Sequence, residues 1–419
     1  MLYRFAWVMM WITFKIFFRR IDLVGLEKLK SGKPAIIIAN HPASFLDAMV
    51  LAVFLKRSIH FYVRGDIFAH PLAYKVLTML HMIPIFSREH GVNNLANNKR
   101  TFDRGRKLLE QGKLLLIFPE GFSRQSKQLE PFKKGAARVA LQTAFEGGKV
   151  NDLQIQTVAL NYSYHHLGAN LLIRLGDAIT LEGYEQQYQE FPAVAITQLN
   201  KEMSGLFQQN VIHVRDGNRT NLAEAMMRMH YHEFGIISSN LFDDFRNICN
   251  KVDLLTHEEF LLLQQEVSSY EKALVDNRIS DQALTELQNP QPIQQFWFVY
   301  YLAPLAILGK ICWWIPGKLS IWIADKTVTR IDFYTSVLSG ILGFMGFFWW
   351  TLIMVVAYFS FANLGLYLAF LLPLFGYIYM QWEERQINWF AFIRLKRLKK
   401  KQTVVVEQLI AQRSKIVAY

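Results

Sequence analysis

A histidine and an aspartate stand close together near the beginning of the chain, at His41 and Asp47. A carboxylate that accepts one ring N–H of a histidine fixes the tautomer and stabilises the imidazolium. The other ring nitrogen can then take a proton from an attacking hydroxyl. The pair therefore indicates general-base chemistry on a hydroxyl group. The alternative is structural, because Asp47 could equally cap the N-terminus of a helix.

A second group of candidate residues follows an apolar run that ends at Phe118. Its members are polar, basic or conformationally permissive, and they are Glu120, Gly121, Ser123, Arg124 and Lys133. A glycine lets backbone N–H groups approach a ligand closely. A lysine beside the start of a helix is suited to binding phosphate. Taken alone, this group is equally compatible with an ordinary turn and a solvated helix start.

Arg88 follows a third apolar run, Ile83–Phe86. A guanidinium group can clamp a phosphate with two parallel hydrogen bonds. Arg88 is therefore a candidate phosphate ligand, and a surface arginine is the alternative. His230 and His232 form a further pair, but no third ligand stands at a suitable spacing, so we predict no metal site.

The elements that must position these residues are short apolar runs that alternate with helical patterns. The strand-like runs are Ala35–Ala39, Ile83–Phe86, Leu114–Phe118 and Thr157–Leu160, and the helical segments include Asn97–Glu110 and Gly135–Phe145. This alternation predicts an α/β domain with a largely parallel sheet flanked by helices. The candidate residues stand at strand ends, where ligands bind in such sheets.

Composition narrows the class of protein further. The chain has 419 residues, of which 52% are hydrophobic and 19% charged, and its net charge is +12. These values exclude a disordered chain, a collagen and a disulfide scaffold. A basic chain can bind nucleic acid or an anionic membrane. The stretch Phe333–Trp382 has no charged side chain, which favours the membrane and argues against nucleic acid.

The apolar segments predict how the chain meets that membrane. Met1–Phe18 is too interrupted by charge to span and is predicted to lie in the interface, the alternative being a helix packed on the protein's own core. Val337–Phe359 and Leu364–Met380 predict a transmembrane hairpin. The basic run Arg394–Lys401 places the tail, and with it the catalytic domain, on the cytoplasmic face.

The chain is thereby predicted to contain six segments. They are an amphipathic interfacial helix (1–20), a catalytic domain (21–215), a helical region (216–290), an interfacial or re-entrant apolar segment (291–332), a transmembrane hairpin (333–382) and a basic cytoplasmic tail (383–419).

In their order and spacing, the motifs resemble those of the glycerolipid acyltransferase family, which includes glycerol-3-phosphate and 1-acylglycerol-3-phosphate acyltransferases. The resemblance covers roughly residues 20–215. His41 and Asp47 match the catalytic motif, and Arg88 matches the arginine of the second block. The third and fourth blocks are matched by Phe118-Pro119-Glu120-Gly121 and by Val158-Ala159-Leu160-Asn161-Tyr162.

The sequence departs from the family pattern in two places. Five residues, Pro42 to Leu46, separate the histidine and the aspartate, one more than in the commonest motif. A branch with this longer spacing includes enzymes that act on glycerol-3-phosphate or dihydroxyacetone phosphate, so the acceptor stays open. Thr157 stands where the fourth block usually has a proline.

The resemblance implies transfer of a fatty acyl group from a thioester to a glycerol-phosphate hydroxyl. The first expectation is conversion of 1-acylglycerol-3-phosphate to phosphatidic acid at an anionic membrane. The donor would be acyl-CoA or an acyl-carrier protein, with no further cofactor. The alternatives are acylation of glycerol-3-phosphate or dihydroxyacetone phosphate, remodelling of another lysophospholipid, and a membrane lipid-binding scaffold without activity.

The resemblance also suggests roles for the candidate residues. His41 would deprotonate the acceptor hydroxyl while Asp47 orients the His41 ring. No serine or cysteine nucleophile motif is present, so a covalent acyl-enzyme is not expected. Arg88 and Lys133 would hold the acceptor phosphate. The remaining expectations are that Glu120 orients an arginine or binds an acceptor hydroxyl, that Gly121 allows close backbone approach, and that Ser123 and Arg124 contact phosphate or donor.

Overall fold

The computed structural model describes residues 1–86, 97–146, 150, 152–163, 167–234, 240–288 and 292–419. Arg88 lies outside the described residues. The chain forms two compact units. The first contains Met1–Gln125, Glu130–Val211 and Ser320–Phe344, and the second contains Ser126–Leu129, Ile212–Leu319 and Met345–Tyr419.

The first unit is built on a seven-stranded sheet. Its strands are β1 (Arg20–Val24), β2 (Ala35–Ala39), β3 (Ile59–Arg64), β4 (Met82–Ile85), β5 (Leu114–Ile117), β6 (Gln154–Tyr162) and β7 (Asn170–Thr180). The strand order is β1-β7-β6-β2-β5-β3-β4. All neighbours are parallel except β6 and β7, which are antiparallel. The predicted, largely parallel sheet is confirmed.

The central strands are buried because helices cover the sheet. Every residue of β2 and β6 is buried, which is why β2 consists of apolar residues throughout. The helices of this unit are α1 (Leu2–Phe17), α2 (Phe45–Phe54), α3 (Pro71–Met79), α4 (Asn97–Glu110), α5 (Gly135–Phe145), α6 (Glu185–Glu190) and α7 (Pro192–Gln208).

Pairing in the centre of the sheet sets the position of the candidate residues. Strand β2 pairs in parallel with both β5 and β6. The carboxyl ends of these three strands therefore lie side by side. The loops that follow β2 and β5 and the last residue of β6 meet at this edge.

Helix α1 has apolar residues on two faces. Met10, Phe14 and Phe17 are buried in the core of the first unit, whereas Phe5 and Val8 are exposed. One face of α1 thus packs on the protein, as the alternative interpretation of this segment expects. The other face leaves large apolar side chains uncovered.

The rest of the chain is helical. Its helices are α8 (Thr220–Phe234), α9 (Leu241–Leu254), α10 (His257–Asp276), α11 (Asp281–Gln288), α12 (Pro292–Tyr301), α13 (Ala303–Thr327), α14 (Ile331–Phe370), α15 (Leu372–Lys401) and α16 (Thr403–Ala418). The basic run of the predicted tail forms the end of α15. Leu395, within this run, and Val406, which follows it, are buried in the core of the second unit. His230 and His232 face separate carboxylates, Asp244 and Asp281.

Helix α14 is, within the described part of the chain, the one helix long and apolar enough to cross a membrane. The second apolar run is divided between the end of α14 and the start of α15. At Ala362 the backbone leaves the helical region, with φ 50° and ψ −136°. The Trp350 indole then donates a 2.8 Å hydrogen bond to the Ala369 carbonyl, so the chain after the break runs back beside the chain before it.

Candidate active site

His41 and Asp47 lie in direct contact at the carboxyl end of β2. The loop after β2 carries His41, and α2 begins at Phe45, so that Asp47 falls in its first turn. The His41 Nδ1 atom is 3.0 Å from Asp47 Oδ2. This contact engages one ring nitrogen and leaves Nε2 as the nitrogen that can receive a proton.

Asp47 is fully buried and receives two further hydrogen bonds. The backbone N–H of Ala43 donates to Oδ2 at 2.9 Å, and the hydroxyl of Tyr162 donates to Oδ1 at 2.8 Å. Burial raises the pKa of Asp47, and the donors His41, Ala43 and Tyr162 oppose that rise. Burial also raises the pKa of Tyr162 well above its ordinary value, so its hydroxyl keeps its proton and acts as the donor.

The imidazole of His41 is held on its face as well as at its edge. Its ring stacks on Phe118, with centroids 3.8 Å apart and planes 11° apart. Phe118 directly follows β5, the parallel neighbour of β2. The ring orientation therefore depends on both strands.

Glu120 joins the loops around His41. Its Oε1 accepts the backbone N–H of His41 at 2.9 Å, and its Oε2 accepts the backbone N–H of Glu130 at 3.2 Å. Burial raises the pKa of Glu120 to about 7, against the opposing effect of these N–H donors. Glu120 thus connects the backbone at His41 to the backbone at Glu130.

Ser123 and Arg124 also contact the protein. Ser123 Oγ accepts the backbone N–H of Ser44 at 2.9 Å. Ser44 has φ 52°. Side-chain-bearing residues seldom occupy this region, so the hydrogen bond holds a strained residue of the loop between His41 and Asp47. The Arg124 guanidinium lies 2.6 Å from Glu130 Oε1 in an ion pair.

Gly121 and Lys133 lie against each other in the turn after β5. Gly121 has φ 76°, and a Cβ built there would lie 2.8 Å from the Lys133 ammonium nitrogen. The Lys133 backbone N–H donates to the Pro119 carbonyl at 2.8 Å. The ammonium is exposed and lies 5.4 Å from the centre of the Phe122 ring. An exposed cation therefore lies beside the turn that follows β5.

Three contacts at this site involve residues without a predicted role. Tyr162 belongs to the fourth motif block, but its contact with Asp47 depends on β6 lying beside β2. Asn40 forms two hydrogen bonds with the Leu160 backbone, at 2.9 Å and 2.8 Å, and so joins β2 to β6. Ser336, far along the sequence, contacts the His41–Asp47 loop. The sequence does not distinguish Ser336 from the hydroxyl residues Thr335 and Ser339 beside it.

Comparison with known proteins covers this same region. The Acyltransferase family profile matches residues 20–161. The chain is 33% identical over 136 residues to a chloroplastic 1-acyl-sn-glycerol-3-phosphate acyltransferase of Arabidopsis thaliana, over 32% of this chain and 36% of that protein. It is 32% identical over 136 residues to a chloroplastic 1-acyl-sn-glycerol-3-phosphate acyltransferase of Brassica napus, over 32% of this chain and 38% of that protein.

The matched stretch spans little more than a third of the length of these curated relatives. Among solved structures, the crystal structure of the 1-acyl-sn-glycerophosphate acyltransferase from Thermotoga maritima is 15% identical, with a TM-score of 0.33 over 48% of this chain and 79% of that one. The family match includes the whole of the first three motif blocks and most of the fourth. Residues 20–161 therefore contain an acyltransferase domain, and they are similar to part of 1-acyl-sn-glycerol-3-phosphate acyltransferases.

Proposed function

We propose that this chain is a membrane-bound acyltransferase that moves a fatty acyl group from a thioester to a glycerol-phosphate hydroxyl. The first candidate acceptor is 1-acylglycerol-3-phosphate, with phosphatidic acid as the product. The observation that carries the proposal is the contact of His41 Nδ1 with the buried Asp47, inside an acyltransferase domain. The relatives' names supply the acceptor class.

The geometry supports a direct transfer. His41 Nε2 takes the proton of the acceptor hydroxyl as its oxygen attacks the thioester carbonyl. A carbon–oxygen bond forms, and the tetrahedral intermediate then collapses with cleavage of the carbon–sulfur bond. The proton held by His41 passes to the departing thiolate. Asp47 stabilises the imidazolium during these steps. The donor is acyl-CoA or an acyl-carrier protein, and the scheme requires no other cofactor and no metal.

The acceptor phosphate is assigned to the basic residues of the site. Lys133 is exposed, and the lack of a side chain at Gly121 lets the Lys133 side chain lie directly against the turn. The paired Arg124 is a weaker candidate because Glu130 already neutralises it. Arg88 keeps the role that its motif suggests. Glu120 and Ser123 support the loops and act on the substrate through them.

The membrane assignment is supported by uncovered apolar side chains. In α14, Phe344, Phe348 and Phe359 are 65%, 61% and 83% exposed. Such exposure is costly in water. We assign Val337–Phe359 of α14 as a span, and the reversal at Ala362 supports a hairpin with the segment that follows. The exposed face of α1 then lies in the interface. The basic residues support a cytoplasmic location for the catalytic domain and the end of α15.

Acceptor choice is tested with the full chain in phospholipid vesicles. Radiolabelled acyl-CoA is offered with 1-acylglycerol-3-phosphate, glycerol-3-phosphate, dihydroxyacetone phosphate or another lysophospholipid, each alone. We expect turnover with the first. Preference for glycerol-3-phosphate or dihydroxyacetone phosphate would show that the chain uses the acceptor of the enzymes with the longer histidine–aspartate spacing. Acyl exchange between phospholipids without a thioester would identify a transacylase, and lipid binding with no turnover of any acceptor would favour a scaffold.

The mechanism is tested in the same assay with His41→Ala and Asp47→Asn. Loss of a general base lowers rates by about a hundredfold to ten-thousandfold, and we expect kcat losses in that range. The matched control is His257→Ala, which removes an exposed histidine at the start of α10. Full activity of His41→Ala would refute the mechanism.

A further inference from the structure

The first turns of α14 lie against the loop that carries the candidate catalytic pair. Ser336 is wholly buried. Its Oγ accepts the backbone N–H of Leu46 at 2.9 Å and donates to the carbonyl of Ala43. Both partners lie between His41 and Asp47. A single hydroxyl from the C-terminal part of the chain therefore bridges the loop across its width.

The same turns of α14 hold the second loop of the site. Asp332 Oδ1 accepts the backbone N–H of Gln125 at 2.8 Å, just after Ser123 and Arg124. Its Oδ2 accepts a 2.9 Å hydrogen bond from Arg330. The ring of Phe333 lies 6.3 Å from that of Phe45, at the start of α2. Asp332, Phe333 and Ser336, all in the first two turns of α14, thus connect this helix to both loops and to the start of α2.

The bridged segment is one that needs support. Ser44, with a backbone φ of 52°, sits between the two partners of Ser336. A residue held in this region stores strain that its surroundings must offset. Its N–H is held by Ser123 on one side. The neighbouring Ala43 directs its own N–H to Asp47 Oδ2. A loop that relaxed at Ala43 or Ser44 would therefore lose a donor to the carboxylate that orients His41.

We propose that Ser336 is a positioning residue for acyl transfer: its hydroxyl keeps the His41–Asp47 loop in its reactive geometry. Asp332 does the same for the loop of Ser123 and Arg124. Neither residue touches a reacting atom. The inference rests on the proposed acyltransferase function and adds that the start of the apolar helix controls the rate of that reaction.

The test compares two isosteric variants of the full chain in vesicles, Ser336→Thr and Ser336→Val. Both add similar bulk at a buried position, and threonine alone keeps the hydroxyl. We expect kcat of the valine variant to be about tenfold below that of the threonine variant, the size of one hydrogen bond at a critical place. The KM for acceptor should agree between them, because Ser336 contacts the catalytic loop and not Lys133.

Ser339→Ala provides the matched control. Ser339 is equally buried on the same helix, but its hydroxyl donates to the Ser336 carbonyl and not to the loop. We expect kcat and KM of this variant to equal those of wild type. Equal kcat for Ser336→Thr and Ser336→Val, or an equal loss in Ser339→Ala, would overturn the inference. An inactive wild type would instead refute the proposed function.

Discussion

The hydroxyl of Tyr162 donates a 2.8 Å hydrogen bond to Oδ1 of Asp47, while the ring of His41 meets the other oxygen, Oδ2. Both contacts are made to the same buried carboxylate, one to each of its oxygens. Its orientation toward His41 is therefore set from β6 as well as from its own loop. This relationship makes Tyr162 part of the candidate site without any contact to substrate.

The first prediction concerns Tyr162→Phe. This change removes the hydroxyl and keeps the ring, so Asp47 loses one of three donors while the packing is preserved. A hydrogen bond to a charged group contributes about 1.5–3 kcal/mol. We expect kcat to fall by at least about tenfold and KM for both substrates to change little, as steady-state kinetics would measure.

Tyr188→Phe is the control for that variant. The Tyr188 hydroxyl also donates to a carboxylate, that of Glu146, in a part of the first unit without candidate catalytic residues. We expect its activity to match wild type. If Tyr162→Phe were as active as Tyr188→Phe, the proposed orienting role of Tyr162 would be excluded.

Adjacent lysines provide a test of phosphate binding. The ammonium of Lys133 lies beside Gly121, whereas that of Lys134 donates to the Thr197 hydroxyl at 2.9 Å. We expect Lys133→Ala to raise the KM for acceptor about tenfold while kcat stays within about twofold, because a lost binding contact acts on both ground and transition states. Lys134→Ala should leave KM unchanged. Identical KM values for the two variants would contradict the assignment.

Elements buried by packing could be predicted closely from the sequence. The run Ala35–Ala39 coincides with β2, and the helical patterns at Asn97–Glu110 and Gly135–Phe145 coincide with α4 and α5. These segments are buried on one or both faces, so the apolar periodicity reports their local structure directly. The pairing of His41 with Asp47 was also accessible, since both residues lie in one short stretch of chain.

Contacts between distant segments could not be predicted in this way. Tyr162 reaches Asp47 because β6 pairs with β2, and strand order is not encoded in local periodicity. The antiparallel β6–β7 pair also departs from the strand–helix alternation. Ser336 contacts Leu46 across 290 positions of sequence. Phosphate and donor contacts were predicted for Ser123 and Arg124, and the structure joins them to Ser44 and Glu130.

Glu120 should make stability depend on pH near neutrality. Its pKa is raised from 4.5 to about 7, mainly by burial, so the folded chain binds more protons than the unfolded chain between these values. The contribution of Glu120 to stability then decreases as the pH rises from 4.5 to 7, by about 3 kcal/mol in all. Glu120→Gln removes the titration. We expect a flatter dependence of the melting temperature on pH in this window for Glu120→Gln in detergent.

The exposed Glu27 serves as the control for Glu120. Glu27→Gln should keep the wild-type slope, because an exposed carboxyl has similar surroundings in the folded and unfolded chain. A wild-type slope in Glu120→Gln as well would show that another group titrates.

A stack of aromatic rings contains a histidine whose titration should have the opposite effect on stability. The buried His60 ring lies on His81 at 4.3 Å, and His81 lies on Tyr3 of α1 at 4.1 Å. Burial, followed by the positive charges of His81, Lys113 and Arg104, lowers the pKa of His60 from 6.5 to about 4. At this histidine the unfolded chain therefore binds more protons between these values, and the contribution of His60 to stability falls as the pH drops from 6.5 to 4.

His60→Leu removes this titration and keeps an apolar side chain in the stack. We expect its melting temperature to decline less than that of wild type between pH 6.5 and 4, whereas His257→Leu, at an exposed position, should follow wild type. Because Tyr3 belongs to α1, protonation of His60 should also loosen the packing of that helix. The protection of α1 amides, measured relative to their intrinsic exchange rates, should accordingly decrease at pH 4.5 in wild type and not in His60→Leu. Equal protection of α1 in the two proteins would show that protonation of His60 does not affect the packing of this helix.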